Sequence, residues 1–194
     1  MPVKFGLDNP LLMTWHLLHQ TLNSILKCED QVFSKHGITT EQYSVLMAIR
    51  YIEPPVTPTE VGRWLDRNTN SISLIVERMV KAGLVRRIRD LRDRRSVRLV
   101  LTQDGKEIFE RATVAGWVLV QEILSRLSEE EMRSLSRLLE TVREKAIDYH
   151  NPRETIEEVK RNDSKNMARF MKRMSKYVSN SAFVTKTHDS QNSV

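Results

Sequence analysis

The chain has 194 residues, 40% hydrophobic and 29% charged, and its 31 Lys and Arg outnumber 25 Asp and Glu for a formal net charge of +6. That length suits one domain with extensions, and the basic balance favours a polyanionic partner. One cysteine excludes an internal disulfide, no apolar run reaches the ~18 residues of a membrane span, and no signal-peptide core opens the chain, so a soluble cytoplasmic protein without membrane contact is expected.

Asp8 to about Lys35 is predicted as a long helix, because Leu11, Leu12, Trp15, Leu18, Leu22, Ile25, Leu26 and Val32 recur at helical spacing. The stripe is broad enough to serve both the chain's own core and a partner subunit. His16 and His19 lie along it at i and i+3, but no further cluster has ligand spacing, so a helix surface is the reading and no metal is expected. Cys28 lies between Lys27 and the acidic pair Glu29 and Asp30, an unfavourable balance for a reactive thiolate. Gly37 breaks this helix. Thr40, Glu41 and Gln42 open the next, which runs to about Tyr51 with Tyr43, Val45, Leu46 and Ile49 as core positions, and Glu53-Pro54-Pro55 stops it. Thr57, Pro58 and Glu60 form a capping box for a short third helix whose Val61, Trp64 and Leu65 face the helix that follows.

That fourth helix begins near Thr69. Ile72, Ile75, Val76, Met79 and Val80 give it one apolar face, and Gly83 ends it. Asn68, Thr69, Asn70, Ser71 and Ser73 occupy its leading end, more small polar side chains than a cap alone requires. Slim, uncharged and polar, that end fits a DNA major groove, where such side chains meet base edges and the free N–H groups meet phosphate, with Thr69 partly spent on capping and Arg78 reaching phosphate. Leu84 to Arg89 and Ser96 to Leu101 then alternate as half-buried strands, joined by Asp90-Leu91-Arg92-Asp93-Arg94-Arg95. Seven arginines fall between Arg86 and Arg98; such runs are often only a solvated face, but on a tight hairpin beside a helix-turn-helix the flat guanidinium suits phosphate forks and narrow minor grooves.

Thr102 caps a long fifth helix with Ile108, Ala112, Ala115, Val118, Leu119, Glu122, Ile123 and Leu127 on its inner side. Ser128-Glu129-Glu130-Glu131 is a second capping box, opening a sixth helix to about Tyr149 with Met132, Leu135, Leu138, Leu139 and Val142 inward. These helices carry more apolar stripe than one small domain covers, and dimerisation resolves the excess. Beyond Asn151-Pro152, Ile156, Val159, Met167, Phe170, Met171, Met174, Tyr177 and Val178 keep helical spacing opposite Lys165, Arg169, Lys172, Arg173 and Lys176. This basic amphipathic extension is read first as an arm packed on the dimer, then as a further DNA contact, and last as a membrane-surface helix; from Ser179 a polar tail is expected to be disordered.

The helix ending in Val76-Glu77-Arg78-Met79-Val80-Lys81-Ala82-Gly83-Leu84-Val85, the wing pattern from Asp90 to Arg95 and the Val100-Leu101-Thr102-Gln103-Asp104-Gly105 step resemble the winged helix-turn-helix of the MarR family of transcriptional regulators. The likeness in organisation extends from roughly Asp8 to His150. It implies a two-fold dimer formed by the terminal helices, with Arg92 in the minor groove held by Asp90, and with Arg94 and Arg95 anchoring the wing or touching phosphate. It also implies a small aromatic ligand between the dimerisation helices and the winged domain, where Trp15, His16, His19, Tyr43 and Met47 are candidates, each also at home in a plain core. Some such regulators sense peroxide through a first-helix cysteine, which makes redox response through Cys28 an alternative.

The expectation is therefore a mainly α protein with a small β-hairpin wing. Residues 1–35 form a dimerisation helix, 36–102 a winged helix-turn-helix, 103–150 the C-terminal dimerisation helices and 151–194 the extension. Its expected partner is double-stranded DNA, a palindromic operator bound by a homodimer acting as a repressor. A nonspecific architectural DNA binder is the rival. No catalytic residue or cofactor is expected, since the chain has no phosphate-binding glycine loop, nucleophile elbow or H-E-x-x-H.

Overall fold

The structure, a computed structural model, describes residues 9–89, 97–150 and 168–172. Six helices and one hairpin follow in the order α1 (Pro10–Ser34), α2 (Thr40–Tyr51), α3 (Pro58–Trp64), α4 (Thr69–Lys81), β1 (Val85–Arg89), β2 (Val97–Leu101), α5 (Gln103–Leu124) and α6 (Glu129–His150). Local chemistry sets most of their starts. Asn9 caps α1 ahead of Pro10. Thr39 with Gln42, and Thr57 with Glu60, close reciprocal capping boxes on α2 and α3, satisfying backbone N–H groups that the first turn leaves free. Ser128 and Glu131 do the same for α6, with Ser128 N–H donating to the carboxylate at 2.8 Å; those bonds to Ser128 hold the Glu131 carboxyl below its ordinary range. Gly37 and Gly83 take positive φ where α1 and α4 end, a conformation that costs a side-chain-bearing residue more.

β1 and β2 pair antiparallel, with Val85 opposite Leu101, Arg87 opposite Leu99 and Arg89 opposite Val97. The Leu99 N–H donates to the Val56 carbonyl at 2.8 Å, so the segment between α2 and α3 is tied to the hairpin. Around this frame one core gathers Val45, Leu46 and Ile49 of α2, Val61 of α3, Ile72, Val76 and Met79 of α4, Val85 and Leu99 of the strands, and Phe109 and Ala112 of α5. An aromatic column runs through it. Phe33 stacks on Tyr43 at 4.2 Å between centroids, Tyr43 on Phe109 at 5.6 Å, and Tyr51 meets Phe109 edge-on at 6.1 Å.

Two helices depart from the sequence expectation. The inner side of α5 is Gly105, Phe109, Ala112 and Thr113, whereas Val118 and Ile123 of the predicted stripe are exposed. Its first half packs on the core through Phe109, and the aliphatic stripe of its second half runs past that core. On α6, Leu135, Leu138, Leu139 and Val142 are likewise exposed, and none of its described side chains is buried. Leu11, Leu12, Trp15 and Leu22 of α1 share this state; only Phe33 of that helix is buried.

Of the extension, 168–172 form a helical turn on which Phe170 meets Tyr51 edge-on at 5.6 Å, while Arg169 pairs with Glu53. Met167, Met174, Tyr177, Val178, Lys165 and Lys176, with the predicted disordered tail, lie outside the described residues. Among the described residues no helix is long and apolar enough to cross a membrane.

Candidate nucleic-acid interface

The α3–α4 turn is built by close backbone approach. Gly62 sits where an added Cβ would lie 2.7 Å from the Arg67 carbonyl, and the Arg67 N–H donates back to the Gly62 carbonyl at 2.8 Å. Asp66 turns the chain with φ 52°, and the Arg67 guanidinium reaches Glu41 on the first turn of α2 at 2.8 Å. Asn68 then caps α4, its Oδ1 accepting the Ser71 N–H at 2.8 Å. The cap is thus Asn68 rather than Thr69, which is the first helical residue; the Asn68 side-chain oxygen is engaged, and the residue is exposed.

With Ile72, Ile75, Val76 and Met79 buried, the opposite side of α4 presents Asn70, Leu74, Glu77, Arg78 and Lys81. Thr69 is also exposed, and Ser71 and Ser73 are half-buried. Glu77 accepts from Lys81 at 2.9 Å; that hydrogen bond, the Lys81 charge and the more distant Arg87 hold its carboxyl below the ordinary range. Arg87 crosses from β1 to donate to the Ser73 carbonyl at 3.4 Å, joining the wing's base to the leading half of α4. In the sequence Arg87 is one arginine of a basic run; its contact emerges only from the packing of β1 on α4. Leu74 likewise carries no polar signal in the sequence, and its exposure is visible only in the fold. Asp90, Arg92, Arg94 and Arg95 fall between Arg89 and Val97 in the chain, outside the described residues.

The wing's other anchor is Thr102. Its hydroxyl donates to the Gly83 carbonyl at 2.6 Å and accepts the Gly105 N–H at 2.9 Å, while its own N–H meets the Leu84 carbonyl at 3.1 Å. One residue therefore fixes the end of α4, the hairpin and the start of α5 together.

The five ligand candidates fall into two groups. Tyr43 and Met47 are half-buried and pack against the core; the Tyr43 hydroxyl lies 3.1 Å from Thr113 Oγ1. Trp15, His16 and His19 are exposed on α1, with the Trp15 and His19 rings edge-on at 4.7 Å. At ~1.5 Å rise per residue, Trp15 stands about 27 Å along the helix from Phe33, the residue that stacks on Tyr43, so one chain does not gather all five into one cleft. Cys28 is half-buried. Beside it, burial and then the Asp30 charge push the Glu29 carboxyl up. Among the described residues no group of three or more His, Cys, Asp or Glu could hold a metal ion.

A polar-faced helix seated on a helix-turn-helix and flanked by an arginine-bearing hairpin defines a winged helix-turn-helix DNA-binding protein. The MarR family model matches residues 36–96. The chain is 31% identical over 112 residues to the transcriptional regulator PecS of Dickeya dadantii, covering 57% of this chain and 68% of that protein. It is 30% identical over 134 residues to the multiple antibiotic resistance protein MarR of Escherichia coli, covering 69% and 90%. A crystal structure of a cysteine-to-serine variant of E. coli MarR with operator DNA superposes with a TM-score of 0.63 at 28% identity, covering 71% of this chain and 99% of that one. The chain belongs to the MarR family: it is a sequence-specific DNA-binding transcriptional regulator, of a family whose members are not catalysts.

Proposed function

We propose that the protein acts as a homodimeric repressor that binds a palindromic operator and is released by a small aromatic ligand. The observation that carries the dimer is α6, which buries none of its described side chains in its own chain, although Leu135, Leu138, Leu139 and Val142 line one side of it. Apolar surface of that extent on α1, α5 and α6 is stabilised by a second copy. A two-fold pair sets two α4 helices about one helical turn of DNA apart, which a palindrome matches.

On each half-site, Thr69, Asn70, Ser71 and Ser73 read base edges, Asn68 and Arg78 hold phosphate, Arg92 enters the minor groove supported by Asp90, and Arg94 and Arg95 take backbone phosphates. The proposed ligand site lies at the seam of the proposed dimer beside Trp15, His16 and His19, a reading supported by the exposure of these rings on α1. Such a ligand dissociates DNA by favouring a dimer state with another spacing of the two α4 helices.

Leu138 is 59% exposed, so Leu138→Asp leaves the winged domain's own core untouched. Sedimentation is expected to show two chains for the wild type and one for the variant, with operator affinity falling at least about 100-fold as the linked second half-site is lost. A monomeric wild type that still binds its operator tightly would refute the proposal.

A further inference from the structure

We infer that Leu74 is a specificity-determining residue of the regulator, one that reads a thymine through its C5-methyl group in the major groove. The inference rests on the reading of α4 as the base-reading helix and adds to it an apolar contact.

A single exposed leucine is ordinary on a protein surface; its position singles this one out. Leu74 is 59% exposed on a helix where Ile72, Ile75, Val76 and Met79 are turned into the core, and it is the only apolar side chain in the leading half of α4 that is exposed, Val80 being exposed only in the last turn. It lies one turn after Asn70 and one turn before Arg78, so the three form a single row along the outward face. Two polar groups beside this row are engaged within the chain. Glu77 is bonded to Lys81, and the Ser73 carbonyl receives Arg87. Leu74 thus contributes hydrocarbon where the surrounding side chains offer donors and acceptors.

In the major groove the one apolar base feature is the thymine methyl, and burying it against a side chain contributes discrimination that no hydrogen bond supplies. Leu74 occupies the sixth position of α4, inside the leading half that enters the groove, and its branched end suits a methyl group better than a polar base edge. Asn70, a turn earlier, has the amide geometry to pair with adenine N6 and N7. The row therefore predicts a half-site in which a thymine lies next to the base read by Asn70.

The test uses the full-length protein and duplexes selected by it from a random library at fixed salt. Each thymine of the enriched sequence is replaced in turn, symmetrically in both half-sites, by deoxyuridine, which keeps pairing and the O4 acceptor but lacks the methyl. One position is expected to lower wild-type affinity by about fourfold per half-site, the transfer value of one buried methyl. Leu74→Ala is expected to bind the thymine duplex with the same loss and to be indifferent to deoxyuridine there, whereas Leu74→Met keeps the sensitivity. The melting temperatures of both variants should match wild type, since the side chain lies outside the core.

The inference is overturned if no position is sensitive in the wild type, or if Leu74→Ala retains the full deoxyuridine penalty. An absence of any enriched duplex would instead sink the wider reading of α4 as the source of sequence specificity.

Discussion

Thr102 and Gly105 show how a short pattern encodes a joint between elements. A Cβ at position 105 would lie 2.0 Å from the Leu84 carbonyl oxygen, an approach that only a shift of backbone relieves. Gly105→Ala should therefore destabilise the protein by about 2 kcal/mol, read as a lowered midpoint in urea, although alanine is intrinsically the better helix former. An unchanged midpoint would show the joint to be slack. Glu29 makes a prediction of opposite sign. Its folded-state pKa is raised above the unfolded value of roughly 4.3, so its contribution is most favourable below that value and is lost as pH rises through the folded pKa. Glu29→Gln should raise the melting temperature at pH 7, and the gain should shrink toward zero near pH 4. At this scale the sequence was readable where chemistry is local: Thr57 with Glu60, and Ser128 with Glu131, cap their helices as their spacing implied. It was silent on Phe33 and Phe109, whose roles follow from a stack with Tyr43 across three helices.

Among the elements, α4 and the base of the wing act as one surface. Glu77 places a carboxylate on the outward face of α4, the face proposed to meet DNA, where it is bonded to Lys81 and feels the Arg87 charge. Glu77→Gln removes that repulsion and frees both cations for phosphate. Affinity for random duplex should rise several-fold at low salt, and the slope of log affinity against log salt should steepen by about one or two contacts. An unaltered slope would place those cations away from the backbone. Of the apolar face expected on α4, Ile72, Ile75, Val76 and Met79 are buried, because that part of its amphipathic pattern is satisfied within the chain, whereas Val80, in the last turn, is exposed. For α5 the same reasoning held only in the first half, where Ala112 is buried and Ile108 packs on the core; it missed Phe109 and Thr113, and Val118 and Ile123 of the expected stripe are exposed. Periodicity identifies an apolar face but does not say which chain covers it.

For the molecule as a whole, the winged domain has a finished core, whereas the helices flanking it in sequence do not. Tyr149, 91% exposed near the end of α6, and Trp15, 62% exposed near the start of α1, mark the extremes of that uncovered surface. Contacts of the extension reach the opposite end of the aromatic column, where Phe170 meets Tyr51 and Arg169 pairs with Glu53. The amphipathic pattern suggested packing for this stretch, but not its site, because nothing in the spacing of Phe170 points to α2. In the proposed dimer two copies of α4, held by a two-fold pairing of the flanking helices, engage DNA at a fixed separation. The most direct measurement is operator affinity as a function of half-site spacing at constant salt. Inserting five base pairs at the operator's centre rotates one half-site to the far side of the duplex; affinity is then predicted to fall toward that for random DNA, by about 1,000-fold. Equal affinity for the native and the expanded operator would contradict a fixed pair of reading helices.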